Sequence, residues 1–330
     1  MPLTGVTSLV QKALELDKFA IARLITVFED SRNDAPEKRR ALLAELDASE
    51  NRRDAVFLGI TGTPGAGKST LTGRLANHLA REDENIAVAV LAVDPSSRVS
   101  GGALLGDRTR VEFAAGEKRL FFRSQASDRE LGGVSRTTFQ VCRLLSRLFD
   151  YVFVETVGIG QSEIEIQFVV DRTYLILQPM AGDQVQFMKA GIMEVPQVFV
   201  LNKSDEIQAA EKSYHALRAT LAFTRPGEED ELEIFRVSAR TGLGLDSLLG
   251  EMRSARDELN RLRGERDKES YFFAKWVRDE FGRRGLRRLG PGDGVDAARD
   301  FIRDAGDFDL AQTRFLETHA GVAPGSPTGS

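Results

Sequence analysis

The stretch Gly62-Thr63-Pro64-Gly65-Ala66-Gly67-Lys68-Ser69 constrains this chain more than any other. Its spacing, G-x-x-x-x-G-K-[ST], is that of a phosphate-binding loop, and its flanks suit one. The apolar run Val56-Phe57-Leu58-Gly59-Ile60 before it reads as a buried strand. After it, Thr70 to Ala80 carries Leu71, Leu75 and Leu79 at helical spacing. Glycines let the backbone wrap around phosphate oxygens, and the N–H groups of the turn and of the new helix, through Ser69 and Thr70, point at them with a favourable dipole. Lys68 is expected to bridge the β- and γ-phosphates, and the Ser69 hydroxyl to complete a Mg²⁺ shell. A ligand-free strand-to-helix turn has no use for the Lys-Ser pair.

The base is read further along. Asn202-Lys203-Ser204-Asp205 follows the apolar run Val198-Phe199-Val200-Leu201. A carboxylate at a strand end accepts two hydrogen bonds from guanine, from N1–H and from the exocyclic amine, whereas adenine offers an acceptor at N1 and no 2-amino group. A site built for such pairing rejects the wrong base strongly, because a polar group is then left unmatched. Asn202 is expected to tie this loop to the phosphate loop, and the Lys203 stem to lie on the base plane. A further apolar strand, Leu232 to Val237, ends in Ser238-Ala239-Arg240, where a backbone N–H can meet guanine O6. GTP and GDP are the implied ligands.

Two carboxylates complete the phosphate end. Ala87 to Val93 reads as a strand ending at Asp94, and Tyr151 to Val154 as one ending at Glu155. Carboxylates at the carboxyl ends of neighbouring parallel strands fall beside the phosphate loop, where Mg²⁺ and the attacking water sit. Each alone would read as a cap of the following turn; together beside the loop they read as a metal site. Gly158, in Glu155-Thr156-Val157-Gly158, is the natural sensor of the γ-phosphate, since only glycine allows so close an approach.

The alternation of strands and helices from Val56 to Leu249 predicts an α/β nucleotide-binding domain with a mostly parallel sheet. We expect a helical extension over residues 1–50, the P-loop domain over 51–250, a helical arm over 251–320 and a disordered Gly/Pro/Ser tail over 321–330. Leu9 to Glu29 reads as one amphipathic helix and Glu37 to Leu46 as a second. A net charge of -5 provides no basic field for nucleic acid. The arginines 283, 284, 287 and 288 read as a solvated helix face. The single cysteine, Cys142, reads as core in a helix with Val141, Leu144 and Leu145 and excludes disulfides. His78, His215 and His319 form no ligand cluster. No apolar run approaches membrane-spanning length and the start lacks a signal pattern, so a soluble cytoplasmic protein is expected.

These motifs resemble the MeaB/ArgK GTPases, chaperones of adenosylcobalamin-dependent acyl-CoA mutases that include the human methylmalonic aciduria type A protein. The resemblance rests on residues 59–70, on Leu91 to Ser97, on Ser100-Gly-Gly-Ala-Leu-Leu-Gly-Asp-Arg-Thr-Arg110, on Leu131 to Ser135, on Val154 to Glu163, on Ala181-Gly-Asp183 and on the Asn-Lys-x-Asp element. It implies slow GTP hydrolysis coupled to gating of cobalamin on a mutase, a homodimer, and three switches. The first covers about residues 94–110, with Asp107 a Mg²⁺ contact; the second follows Glu155; the third covers about residues 179–191 and carries Lys189. The third departs from the family wording at Met180, Gln184 and Met188, which puts the mutase's identity in question. The segments around Ser100 and Arg123-Ser-Gln-Ala-Ser127 are also similar to the G domain fused within isobutyryl-CoA mutases. Tyr271, Phe272, Phe273, Trp276 and Phe281 belong, on the resemblance, to a dimerisation arm; docking onto their own chain is the alternative. Two other functions compete: a protein kinase, as the transport-kinase label of ArgK suggests, and a nucleotide-gated binding module with negligible turnover.

Overall fold

Short runs dominated by branched and aromatic residues hydrogen-bond side by side in one parallel sheet, the arrangement expected of strands covered on both faces. The computed structural model describes residues 3–94, 113, 116–126, 134–156, 165–179, 192–228, 232–262 and 268–319. Its strands are β1 (Val56–Gly62), β2 (Val88–Asp94), β3 (Leu120–Ala126), β4 (Tyr151–Thr156), β5 (Arg172–Leu177), β6 (Val198–Leu201) and β7 (Glu233–Arg236). They lie in the order β3-β2-β4-β1-β5-β6-β7, every neighbouring pair parallel. Every residue of β1 and β4 is buried, so the phosphate loop springs from the sheet's middle.

Three helices precede the sheet: α1 (Leu3–Leu14), α2 (Lys18–Phe28) and α3 (Ala35–Asp47). Then come α4 (Lys68–Glu82), α5 (Arg136–Leu145), α6 (Ile207–Thr224), α7 (Leu245–Leu262), α8 (Lys268–Leu289), α9 (Val295–Ala305) and α10 (Phe308–His319). The chain forms two compact units, one of residues 53–135 and 148–262 that holds the sheet, the other of residues 1–52, 136–147 and 263–330 that is helical.

In the sheet unit, Leu71, Leu75 and Leu79 of α4 pack with Leu248, Leu249 and Met252 of α7 over β1 and β4. The Tyr174 hydroxyl donates to Glu251 and Arg172 donates to Glu251 Oε1 at 2.5 Å, fixing α7 to β5. In the helical unit, Phe272 stacks on Phe139 with ring centres 4.3 Å apart, and Phe273 meets Phe308 and Phe315 edge-on. Phe272, Phe273 and Trp276 are buried, so the aromatic run packs into its own unit. Cys142 is buried in α5. Helix α8 is broken at Gly282, where φ is 62°, and Arg283, Arg284, Arg287 and Arg288 beyond the break are exposed. No helix among the described residues is long and apolar enough to cross a membrane.

Three features differ from the sequence-based expectation. The stretch from Leu9 to Glu29 is two helices, because Leu16 takes a left-handed φ of 62° and Asp17 then caps α2, its carboxylate accepting from Ala20 N at 2.7 Å. Strand β3 was not expected, since its Phe-Arg-Ser-Gln mixture shows no apolar alternation. Nor was β5, which opens on Arg172 and Thr173.

Within the helical unit lies a buried charge network. Arg39 Nε donates to Asp309 Oδ1 at 3.0 Å, Arg143 Nη1 donates to Asp309 Oδ2 at 2.7 Å, and Arg39 also reaches Gln312. Asp309 thus balances two guanidinium groups. Removing one partner of a buried pair costs about 3–5 kcal/mol because the other charge stays behind. Asp309→Ala should therefore lower the thermal midpoint of the helical unit strongly, with Asp309→Asn intermediate; a midpoint equal to that of the wild type would refute this account.

Candidate functional site

At the carboxyl edge of the sheet the chain turns from β1 into α4 through a loop in which two glycines leave no room for a side chain. Gly62 has φ of 138°, and a Cβ there would lie 2.0 Å from the Ile176 carbonyl oxygen of β5. Gly67, at φ 85°, opens α4, and a Cβ there would lie 2.6 Å from Asn202 Nδ2. The turn is thus pinned by main-chain packing, not only by its own preferences.

Lys68 is buried, and its ammonium donates to the carbonyls of Gly62 and Thr63 at 2.8 and 3.0 Å. The cation therefore folds back over the loop that surrounds it. Ser69, the next residue, donates from Oγ to Glu155 Oε1 at 2.6 Å. The sheet register explains this meeting: Glu155 lies opposite Ile60 of β1 on one side and Ala92 of β2 on the other. One residue on, the Thr156 hydroxyl donates to Thr61 Oγ1 at 3.1 Å, joining the start of the loop to the start of the segment after β4. Serine hydroxyl and carboxylate are the hard oxygen donors that Mg²⁺ takes, so this pair fits such an ion. Asp94 ends β2, beside β4. Its side chain, and the whole of Asp107, Gly158 and Lys189, lie outside the described residues, as do most of the three switch segments.

The base end is assembled from the termini of β6 and β7. Asn202 is 1% exposed; its Nδ2 donates to the Ala66 carbonyl at 2.8 Å and its Oδ1 accepts from Ala239 N at 3.0 Å. Lys203, in a left-handed conformation with φ 61°, donates to the Gly65 carbonyl and to Gln178 Oε1, both at 2.7 Å. Ser204 closes the turn by donating from Oγ to the Leu201 carbonyl at 2.7 Å. Asp205 is paired with Arg240. A hydrogen bond from Ser238 and the Arg240 guanidinium hold its carboxyl group below its ordinary pKa. Arg74 of α4 donates to the Arg240 carbonyl at 3.2 Å. The structure thus brings residues 62–70, Glu155, residues 202–205 and residues 238–240 to one edge. Three contributors went unforeseen: Gln178, Arg74 and the Thr61–Thr156 pair. Gln178 directly follows β5, so finding that strand would have exposed it.

A bipartite edge of this kind, phosphate loop at one end and acceptor carboxylate at the other, suits a nucleoside phosphate. Residues 21–284 match the family model for the methylmalonyl-CoA mutase-associated GTPase MeaB. The chain belongs to the MeaB family of GTPases. Family membership carries guanine-nucleotide binding with it. Among relatives, GTPase ArgK of Escherichia coli is 35% identical over 241 residues, covering 70% of this chain and 71% of that one. A Caulobacter vibrioides relative is 39% identical over 251 residues, covering 75% and 76%. The mouse methylmalonic aciduria type A homolog is 32% identical over 251 residues, and the match spans 72% of this chain but only 60% of the mouse protein. The crystal structure of an LAO/AO transport system kinase superposes with a TM-score of 0.62 at 25% identity, covering 98% of this chain and 95% of that one.

Asn202→Ala would leave the Ala66 carbonyl and the Ala239 amide buried without partners, at roughly 1–3 kcal/mol each. GDP affinity should fall by about a hundredfold or more in calorimetry, and unchanged affinity would break the argument that this side chain sets the loop spacing. Because Ser238 and Arg240 hold the Asp205 carboxyl group below its ordinary range, it should add no pH dependence to GDP affinity from pH 8 to pH 5 beyond that of the nucleotide's own terminal phosphate, which titrates at about 6; a further, carboxyl-dependent fall within that range would contradict it.

Proposed function

We propose that the protein is a cytoplasmic GTP-hydrolysing chaperone that gates the delivery or protection of adenosylcobalamin on an acyl-CoA mutase. The observation that carries this reading is the match of residues 21–284 to a family described by its association with a mutase. The site geometry supports the hydrolytic half. In this reading Lys68 leaves the Gly62 and Thr63 carbonyls to meet the β- and γ-phosphates. Asp205 takes the guanine N1–H and amine, and the Ala239 or Arg240 amide meets O6. Ser69, with Asp94, Asp107 and Glu155 directly or through water, would hold Mg²⁺. When bound, that ion neutralises charge on the phosphate oxygens.

Gly158 senses the γ-phosphate, and the residue after it is Ile159, so no glutamine stands there to orient water. Arg108, Arg110 and Lys189, in the segments that the resemblance makes switches, are the candidates to supply a cation to the transition state. Such a group is worth roughly 10³–10⁵ in rate. Slow basal turnover, accelerated when the mutase brings Lys189 of the third switch to the nucleotide, follows. A homodimer would use surfaces other than Phe272, Phe273 and Trp276, which are buried in their own unit. The kinase reading is not favoured, since a guanine-selective edge with G-protein switches points to water as the phosphoryl acceptor.

Glu155→Ala and Asp94→Ala should each depress GTP hydrolysis by orders of magnitude more than they weaken GDP binding, measured by phosphate release beside calorimetry; normal turnover in both would reduce the two carboxylates to caps. Lys189→Ala should abolish most of the mutase-induced acceleration while basal turnover persists. If the acceleration survives that change, the cation is supplied elsewhere.

A further inference from the structure

The carboxylate that must accept the guanine edge already has a guest. Asp205 Oδ2 is paired with Arg240 Nη2, and the Asp205 side chain is only 16% exposed although Arg240 is 79% exposed. The pairing is chemically specific. The N1–H, C2 and 2-amino group of guanine form a planar guanidine-like edge that presents adjacent N–H donors. An arginine head presents the same planar donors with a full positive charge. The loop carrying Arg240 is anchored independently of its side chain. Arg74 holds the Arg240 carbonyl, Asn202 holds the Ala239 amide, and the Ser238 amide donates to the Leu243 carbonyl at 2.9 Å. The guanidinium is thus free to swing on a fixed backbone.

We propose that Arg240 is a built-in mimic of the guanine edge, pairing with Asp205 and yielding it to the incoming base. This rests on Asp205 being the base-reading carboxylate. The side chain is a positioning residue: it holds the Asp205 carboxylate and competes with the base for one carboxylate oxygen. The competition sets how fast and how tightly guanine nucleotides enter, without touching a phosphate.

An exposed ion pair is a weak competitor. Stopped-flow binding of a fluorescent GDP should therefore show Arg240→Gln associating about two- to fivefold faster than wild type at low salt, with a matching gain in equilibrium affinity. Arg240→Lys, which keeps the charge but lacks the planar fork, should fall between them. Salt screens the pair, so the ratio of variant to wild-type rate should close toward one as ionic strength rises. A residue that merely shaped the pocket would slow binding when replaced and would give no such salt convergence. Slower association, weaker GDP binding or a rate equal to wild type in Arg240→Gln overturns the proposal. Asp205→Asn separates the two layers. If it still prefers guanine over xanthine nucleotides, the base-site assignment fails and the mimic fails with it. If it switches to xanthine while Arg240→Gln behaves as wild type, only the mimic falls.

Discussion

One buried amide holds the nucleotide edge together. Asn202 donates to the Ala66 carbonyl in the phosphate loop and accepts from the Ala239 amide in the loop after β7. The phosphate loop leaves the central strand β1 and the base loops leave β6 and β7 beyond β5, so the sheet sets how far apart those strand ends lie. The Asn202 side chain, with one donor group and one acceptor, then ties the loops above those ends to each other. Gly67 has no side chain for a related reason: a Cβ there would strike Asn202 Nδ2 at 2.6 Å. Glycine and asparagine are therefore one constraint seen from two positions.

Strand order then distributes the tasks. β2, β4 and β1 are neighbours, so Asp94, Glu155 and the loop beginning at Gly62 emerge together. β6 and β7 are neighbours on the other side of β5 and deliver residues 202–205 and 238–240. Parallel strands place all these ends on one edge, where ligands gather in open α/β sheets. The helical unit has a separate core, built on stacked phenylalanines and on Asp309 shared between Arg39 and Arg143.

Much of this was legible in the sequence because it is local. The phosphate loop, the strand before it and α4 after it are encoded within a short stretch, and β6 with Asn202-Lys203-Ser204-Asp205 within another. What escaped is what depends on partners. β3 and β5 carry polar or charged residues that make sense only beside particular neighbours: Arg172 finds Glu251, and Gln178 finds Lys203. The break between α1 and α2 was hidden because the apolar spacing continues across Leu16, whose left-handed backbone shows in no periodicity. The aromatic run after residue 270 suited either a packed core or an exposed arm. Composition alone does not distinguish them; the stacking partner Phe139 lies far upstream.

Lys203 spends its ammonium on two acceptors, the Gly65 carbonyl and Gln178 Oε1. Pro179 follows Gln178 directly, and with it begins the segment that the family resemblance makes the third switch. The tip of the phosphate loop and the residue before that segment are therefore two hydrogen bonds apart, joined by the lysine of the Asn-Lys-x-Asp element. The route between the two runs through one side chain and not through the sheet. Loop and segment are thus tethered to one post, the Lys203 ammonium.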